Sequence, residues 1–219
     1  CVMGNIKFDV EPDSGVCDVA AVTRKELFGD RPVWIAASTH EGEEQLVLDV
    51  HRDLLVRHPG LLLVLVPRHP ERFAAVRELI EKRDLTVISR TEQRPAGDAA
   101  VFLCDTMGEV PLFYAASDVA FVAGSLVPIG GHNLLEPAAL GVPVITGPHN
   151  FNSQDIADLF ESLGACRIVS GTDELGEVVS ELLTDTEEAD RLGRAGQRVL
   201  EDNRGALERL LVLLEPLIK

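Results

Sequence analysis

The chain has 219 residues, with 36 acidic against 20 basic side chains and a net charge of −16. Its 46% hydrophobic content and mean hydropathy of +0.12 suffice for one large or two small packed domains and exclude a disordered chain. So acidic a surface excludes a nucleic-acid partner and an anionic membrane face, which both demand basic residues, and apolar runs as short as 61–66 cannot span a bilayer. Residues 1–30 read as an irregular lead-in punctuated by Pro12, Gly15 and Gly29. Strands are then expected at 33–37, 61–66, 85–89, 100–104, 119–122, 142–146 and 166–169. Helices are expected between them at 43–57, 70–83, 109–116, 134–140 and 154–163, and at 173–183, 187–201 and 206–217 to close the chain. Helix 43–57 places Leu46, Val47, Val50, Leu54 and Leu55 on one stripe, and Pro70 opens the first turn of the next helix. Strands this apolar need cover on both faces, which means a doubly wound, Rossmann-like α/β domain with a parallel sheet over residues 31–219.

The four cysteines, Cys1, Cys17, Cys104 and Cys166, have no metal-ligand spacing. Cys104 and Cys166 lie in or beside apolar runs and read as reduced core residues of a cytosolic protein. No basic segment followed by an apolar run opens the chain, so no secretory leader is expected. Cys1 stands where an initiator methionine would, which points to one domain of a longer protein.

Doubly wound domains bind ligands beyond the carboxyl ends of their strands. The segments there, 38–44, 67–69, 105–109, 124–125 and 147–150, are all rich in polar residues or glycine. Richest is the turn after strand 119–122, Gly124 to Gly131, followed by His132, Asn133 and Glu136. A helix start bared by glycines offers free amides and a dipole to a phosphate, and Glu136 shares a helix face with Asn133 to accept ribose hydroxyls. Ordinary capping is the plainer alternative. At 38–44, Ser38 and His40 are candidate ligand contacts, whereas Glu43 and Glu44 read as acidic first-turn residues favoured by the dipole. Between Pro67 and Pro70, Arg68 offers a fork for phosphate or base, against the alternative of a surface arginine paired with a carboxylate. At 105–109, Asp105 reads as a cap, while the amides of Gly108 and Glu109 can meet a nucleotide. Asn150 and Asn152 read as turn and cap residues, and His51 and His58 as surface positions of a helix. Zinc spacing, a Walker lysine and a nucleophile elbow are all missing, so no metal site is expected, and His40 and His132 remain as possible acid or base.

Six segments, 4–9, 38–44, 67–72, 105–109, 130–136 and 147–149, stand in the order found in the carboxy-terminal half of 3-deoxy-D-manno-octulosonic acid (Kdo) transferase, which the chain resembles over residues 4 to about 155. The resemblance implies a GT-B architecture, two Rossmann-like domains facing across a cleft, with this one holding the sugar nucleotide. It implies transfer of Kdo from CMP-Kdo to the lipid A precursor (lipid IVA) with inversion, and no metal or cofactor. Carried over, CMP would touch Pro67, Arg68, Met107, Gly108, Glu109, Asn133, Leu134, Leu135 and Glu136, with further contacts from Ser38, His40, Gly130, Gly131 and His132. The family's general base, acceptor contacts and membrane contact belong to the amino-terminal domain, at the cytoplasmic face of the bacterial inner membrane. This soluble domain alone would then bind CMP weakly and transfer nothing. Pro128 and Ile129 stand where many members carry charge, and Ser153 where an aromatic is common. Another GT-B donor domain, using a UDP- or GDP-sugar, and a non-catalytic nucleotide-binding domain are the alternatives.

Overall fold

A computed structural model describes residues 5–10 and 14–214. Cys1, Gly4, Pro12 and the stretch 215–217 of the last expected helix lie outside the described residues. Seven strands form one wholly parallel sheet in the order β3-β4-β2-β1-β5-β6-β7: β1 (Val33–Thr39), β2 (Leu62–Pro67), β3 (Val87–Ser89), β4 (Val101–Leu103), β5 (Val119–Val122), β6 (Val144–Thr146) and β7 (Arg167–Ile168). From β1 the chain lays β2 beside it, places β3 at the far edge and β4 between them, then returns to lay β5 against the other side of β1. The switch point therefore lies between β1 and β5, where ligands of doubly wound sheets bind.

Alternate residues of β1 feed opposite core layers. Val33, Ile35 and Ala37 pack with Phe28, Phe102 and Phe113; Trp34 and Ala36 pack with Phe121 and the apolar faces of α2 (Glu43–Arg57), α3 (Phe73–Glu81) and α7 (Thr172–Thr184). Burial on both faces is why these strands read as continuous apolar runs. Each fully buried aromatic, among them Trp34, Phe102, Phe113, Phe121 and Phe160, contributes about 1.5–3 kcal/mol. The first layer is covered by α1 (Val16–Leu27), α4 (Val110–Ala115), α5 (Leu135–Ala139), α6 (Gln154–Ser162) and much of α8 (Thr186–Asn203); α9 (Ala206–Leu214) follows.

The structure corrects three expectations. The lead-in is not irregular, because α1 and a single turn of 3-10 helix, Ile6–Phe8, occupy it. Of α1 only Ala20 is buried, so the segment carries no apolar stripe to read. Arg24 fastens it instead, donating to the Asp118 carboxylate at 2.8 Å and the Ala116 carbonyl at 2.7 Å. The buried stripe of α2 is Val47, Leu48, Val50, His51 and Leu54, with Leu46 and Leu55 at its half-buried margins. His51 is thus a core residue. The Trp34 indole N–H donates to its Nδ1 at 3.1 Å, and its Nε2–H donates to the Ala100 carbonyl at 2.8 Å. His58 stays near the surface as the cap of α2, its Nε2 2.8 Å from the Ser180 hydroxyl.

Candidate functional site

Strand β1 ends in a bulge. Its register with β2 slips between Ala37 and Thr39, and Ser38 takes a left-handed φ of +63°, a conformation that costs a non-glycine residue about 1–2 kcal/mol. Beyond it the His40 ring meets His132 from the β5 loop edge to edge, planes 4° apart, with Nε2 to Nε2 at 2.8 Å. His69 meets His40 edge-on, centroids 5.3 Å apart. At 2.8 Å one imidazole must donate and the other accept, so the two are not both protonated. Burial, reinforced by His40, Arg68 and His69, drives the His132 pKa down to about 4. Burial, then His69, Arg68 and Arg72, lowers that of His40.

Arg68 follows β2. It is exposed, and its amide donates to the Thr39 carbonyl at 3.0 Å. Among the described residues its guanidinium has no carboxylate partner. Its neighbours do: Arg72 forks onto Glu44 at 3.2 Å and reaches Glu41 at 3.4 Å, and Arg90 grips Glu109 at 2.9 Å. The reading of Arg68 as an ordinary paired surface arginine therefore fails. Pro67 is the buried last residue of β2.

After β4, Met107 is 60% exposed and Gly108 has φ +83°. The amides of Met107, Gly108 and Glu109 carry no hydrogen bond among the described residues. The Glu109 side chain, by contrast, is engaged. Burial raises its pKa, but the Arg90 fork and the Thr106 hydroxyl outweigh that and hold it lowered. Asp105 does cap a turn, but the one after β3, accepting from the Thr91 amide and hydroxyl at 2.9 and 2.6 Å.

The glycine turn departs most from expectation. The amides of Gly130 and Gly131 are not free; both donate to the Gly124 carbonyl, at 3.1 and 2.8 Å. Those of Gly124, Ser125 and Leu126 all donate to the buried Glu43 carboxylate. Helix α5 has only five residues, too few for its dipole to make an anion site. The amides of His132, Asn133 and Leu134 have no partner among the described residues. Asn133 precedes α5 and so shares no helix face with Glu136; its Oδ1 accepts from the Leu135 amide at 3.1 Å, and its Nδ2 donates to the Glu136 carboxylate at 3.1 Å. Leu134 and Leu135 are buried in the core, which leaves only their backbone to a ligand. Asn150 and Asn152 brace turns, donating to the carbonyls of Gly147 and Ile129.

The strand ends that carry these groups, β4, β2, β1 and β5, are contiguous in the sheet. Three gaps of about 4.8 Å give a shelf roughly 14 Å wide, the reach of an extended mononucleotide. The sequence reading missed Glu43 and His69 as site residues. His69 was signalled by its place beside Arg68. Cys104 and Cys166 are buried free thiols, as expected, and Cys17 is an exposed one. Among the described residues no cluster of metal-ligating side chains occurs, and no helix is long and apolar enough to cross a membrane.

Fold and site define a doubly wound α/β domain of the kind that forms the nucleotide-binding half of a GT-B glycosyltransferase. Residues 30–199 match the glycosyl transferases group 1, and the chain belongs to that family. It is 48% identical over 220 residues to the 3-deoxy-D-manno-octulosonic acid transferase of Haemophilus influenzae, a match that covers 100% of this chain and 52% of that protein. To the protein of the same name from Bordetella pertussis it is 33% identical over 219 residues, 98% of this chain and 51% of the other. The chain thus spans about half the length of these relatives. Among solved structures it resembles the C-terminal CMP-Kdo binding domain of WaaA from Acinetobacter baumannii, with a TM-score of 0.79 and 36% identity over 84% of this chain and 97% of that one. The resemblance drawn from six motifs is borne out along the whole chain.

Proposed function

We propose that this chain is the donor-binding half of a Kdo transferase and holds CMP-Kdo on the shelf formed by the carboxyl ends of β4, β2, β1 and β5. The observation that carries the reading is Arg68, a guanidinium left without a carboxylate partner among the described residues of a chain with net charge −16. Arg68 takes the donor phosphate by its fork, beside the His40–His132 pair. The amides of Met107, Gly108 and Glu109 on one side, and of His132, Asn133 and Leu134 on the other, take the remaining polar atoms of CMP. Glu136, aligned by Asn133, accepts from ribose hydroxyls. Pro67 and the backbone of Leu135 line the floor, and Ser38 the rim. Gly130 and Gly131 shape the turn without giving their amides to the ligand.

In the transfer, the bond between the anomeric carbon and the phosphate oxygen breaks as the acceptor hydroxyl attacks from the opposite face, inverting the centre. The pair of electrons leaves on the phosphate of CMP, where Arg68 and the amides stabilise the charge in place of a metal or cofactor. The acceptor, a lipid A precursor, its general base and contact with the cytoplasmic face of the membrane belong to the other half of the protein. Calorimetric titration of the chain with CMP, UDP and GDP tests the donor assignment: CMP should bind best, and preference for UDP or GDP would sink it. Kdo transfer by the 219 residues alone would refute the division of labour.

A further inference from the structure

We propose that Glu43 is the positioning residue of this site: an internal anion that fills the amide nest of the β5 loop and so sets the imidazole pair and the amides of His132, Asn133 and Leu134. Glu43 lies in the first turn of α2 and is fully buried. Its Oε2 accepts from the Gly124 amide at 2.7 Å and the His40 amide at 3.3 Å; its Oε1 accepts from Ser125 at 3.1 Å and Leu126 at 3.0 Å. Successive amides turned to one point are the arrangement by which glycine loops hold phosphate. Here the chain's own carboxylate occupies it. A ligand phosphate is thereby excluded from the nest and directed to the next turn, at His132, beside Arg68.

The loop transmits the placement. Gly124, at φ +71°, turns its carbonyl to the amides of Gly130 and Gly131. The His132 ring lies so close that a Cβ on Gly124 would stand 2.8 Å from its Cδ2. Ser125 locks the far side, donating its hydroxyl to the Val122 carbonyl and accepting from the Gly147 amide, both at 2.8 Å. Moving the three amides therefore moves the floor under His132. A glutamine at 43 keeps the shape, but its NH2 would confront two of the four N–H donors.

The inference rests on the donor reading only for the identity of the ligand, so its test has two readouts. NMR follows the pH midpoint of the His132 imidazole, and calorimetry follows CMP binding, in the chain and in Glu43→Gln. With its ring released from Gly124 into water, His132 should titrate at least one pH unit higher in the variant, rising toward the ordinary value of 6.5. CMP affinity should fall about tenfold or more. A folded Glu43→Gln with an unchanged His132 midpoint and unchanged amide shifts over 124–134 overturns the proposal. If Glu43→Gln does not fold, Glu43→Asp, which retracts the charge by one methylene, is read by the same criteria. In the unmodified chain the amides of Gly124, Ser125 and Leu126 should exchange slowly with solvent, and free exchange there overturns the proposal without any variant. Failure of the unmodified chain to bind CMP counts against the donor reading alone, because the His132 midpoint still reports on Glu43.

Discussion

At Arg68 an exposed guanidinium stands at a strand end with no carboxylate against it among the described residues, while Arg72 and Arg90, which follow it in sequence, are gripped by Glu44 and Glu109. A charge-assisted fork on a phosphate is worth about 1.5–3 kcal/mol. Arg68→Ala should therefore raise the Kd for CMP about 10- to 100-fold, as read by calorimetry. The melting temperature should not move, because the side chain has no partner among the described residues to lose. Arg68→Lys keeps the charge and loses the fork, so its affinity should fall between the two. Undiminished CMP binding by Arg68→Ala would remove the central observation of the donor assignment.

Between elements, the contacts that decide stability are those the hydropathy pattern could not show. His51 joins α2 to β1 through Trp34 and to the start of β4 through Ala100. Its burial lowers its pKa from 6.5 to about 4, and protonating Nδ1 would set N–H against the indole N–H. Between those two pH values the unfolded chain binds the proton and the folded chain does not. The contribution of His51 to stability is therefore whole above pH 6.5 and falls by about 3 kcal/mol as the pH drops to 4. Urea unfolding at pH 7 and pH 4.5 of the chain and of His51→Gln, which donates and accepts but does not titrate, measures it: the variant should lose the His51 share of the slope and keep that of His132. Helix α8 meets the rest of the domain through Gly193, whose missing Cβ makes room for the Gly141 carbonyl. Gly193→Ala gains about 1 kcal/mol of helix propensity. The carbonyl cannot yield without moving the turn into β6, so the overpacking cost of about 1–3 kcal/mol should win and lower the urea midpoint. The central strands were legible because burial on both faces writes itself as unbroken apolar runs. Helix α1 was not legible, since an ion pair and one alanine hold it. Nor was the burial of His51, since a histidine on a helix reads the same whether or not an indole waits across the layer.

In the whole molecule, the groups proposed to meet the ligand gather at one edge of the sheet. The rule that ligands gather at carboxyl ends made the first edge legible: Arg68, His40, 107–109 and 132–136 are all there. The partners of the amides were not legible, because whether Gly130 donates to a ligand or to Gly124 depends on how the loop closes in three dimensions. At the amino edge a second arginine does structural work. Arg31 donates to the carbonyls of Gly60 at 2.9 Å, Gly97 at 2.7 Å and Leu61 at 3.1 Å, tying together the turns that lead into β2 and β4. Burial, only partly offset by Asp98, lowers its pKa. Truncation would leave three carbonyls without their charged donor, a loss of about 2–3 kcal/mol. Arg31→Ala should therefore lower the melting temperature by several degrees. Its CMP affinity should stay within about twofold, since the length of β1 separates it from the shelf and sites that share no partner act independently. Arg68→Ala should show the reverse, unaltered melting and weakened binding. Measured side by side on the same chain, the two variants decide whether binding and folding divide by sheet edge. A tenfold loss of CMP affinity in Arg31→Ala, at a temperature where the variant remains folded, would show that the shelf depends on the far edge and that the division does not hold.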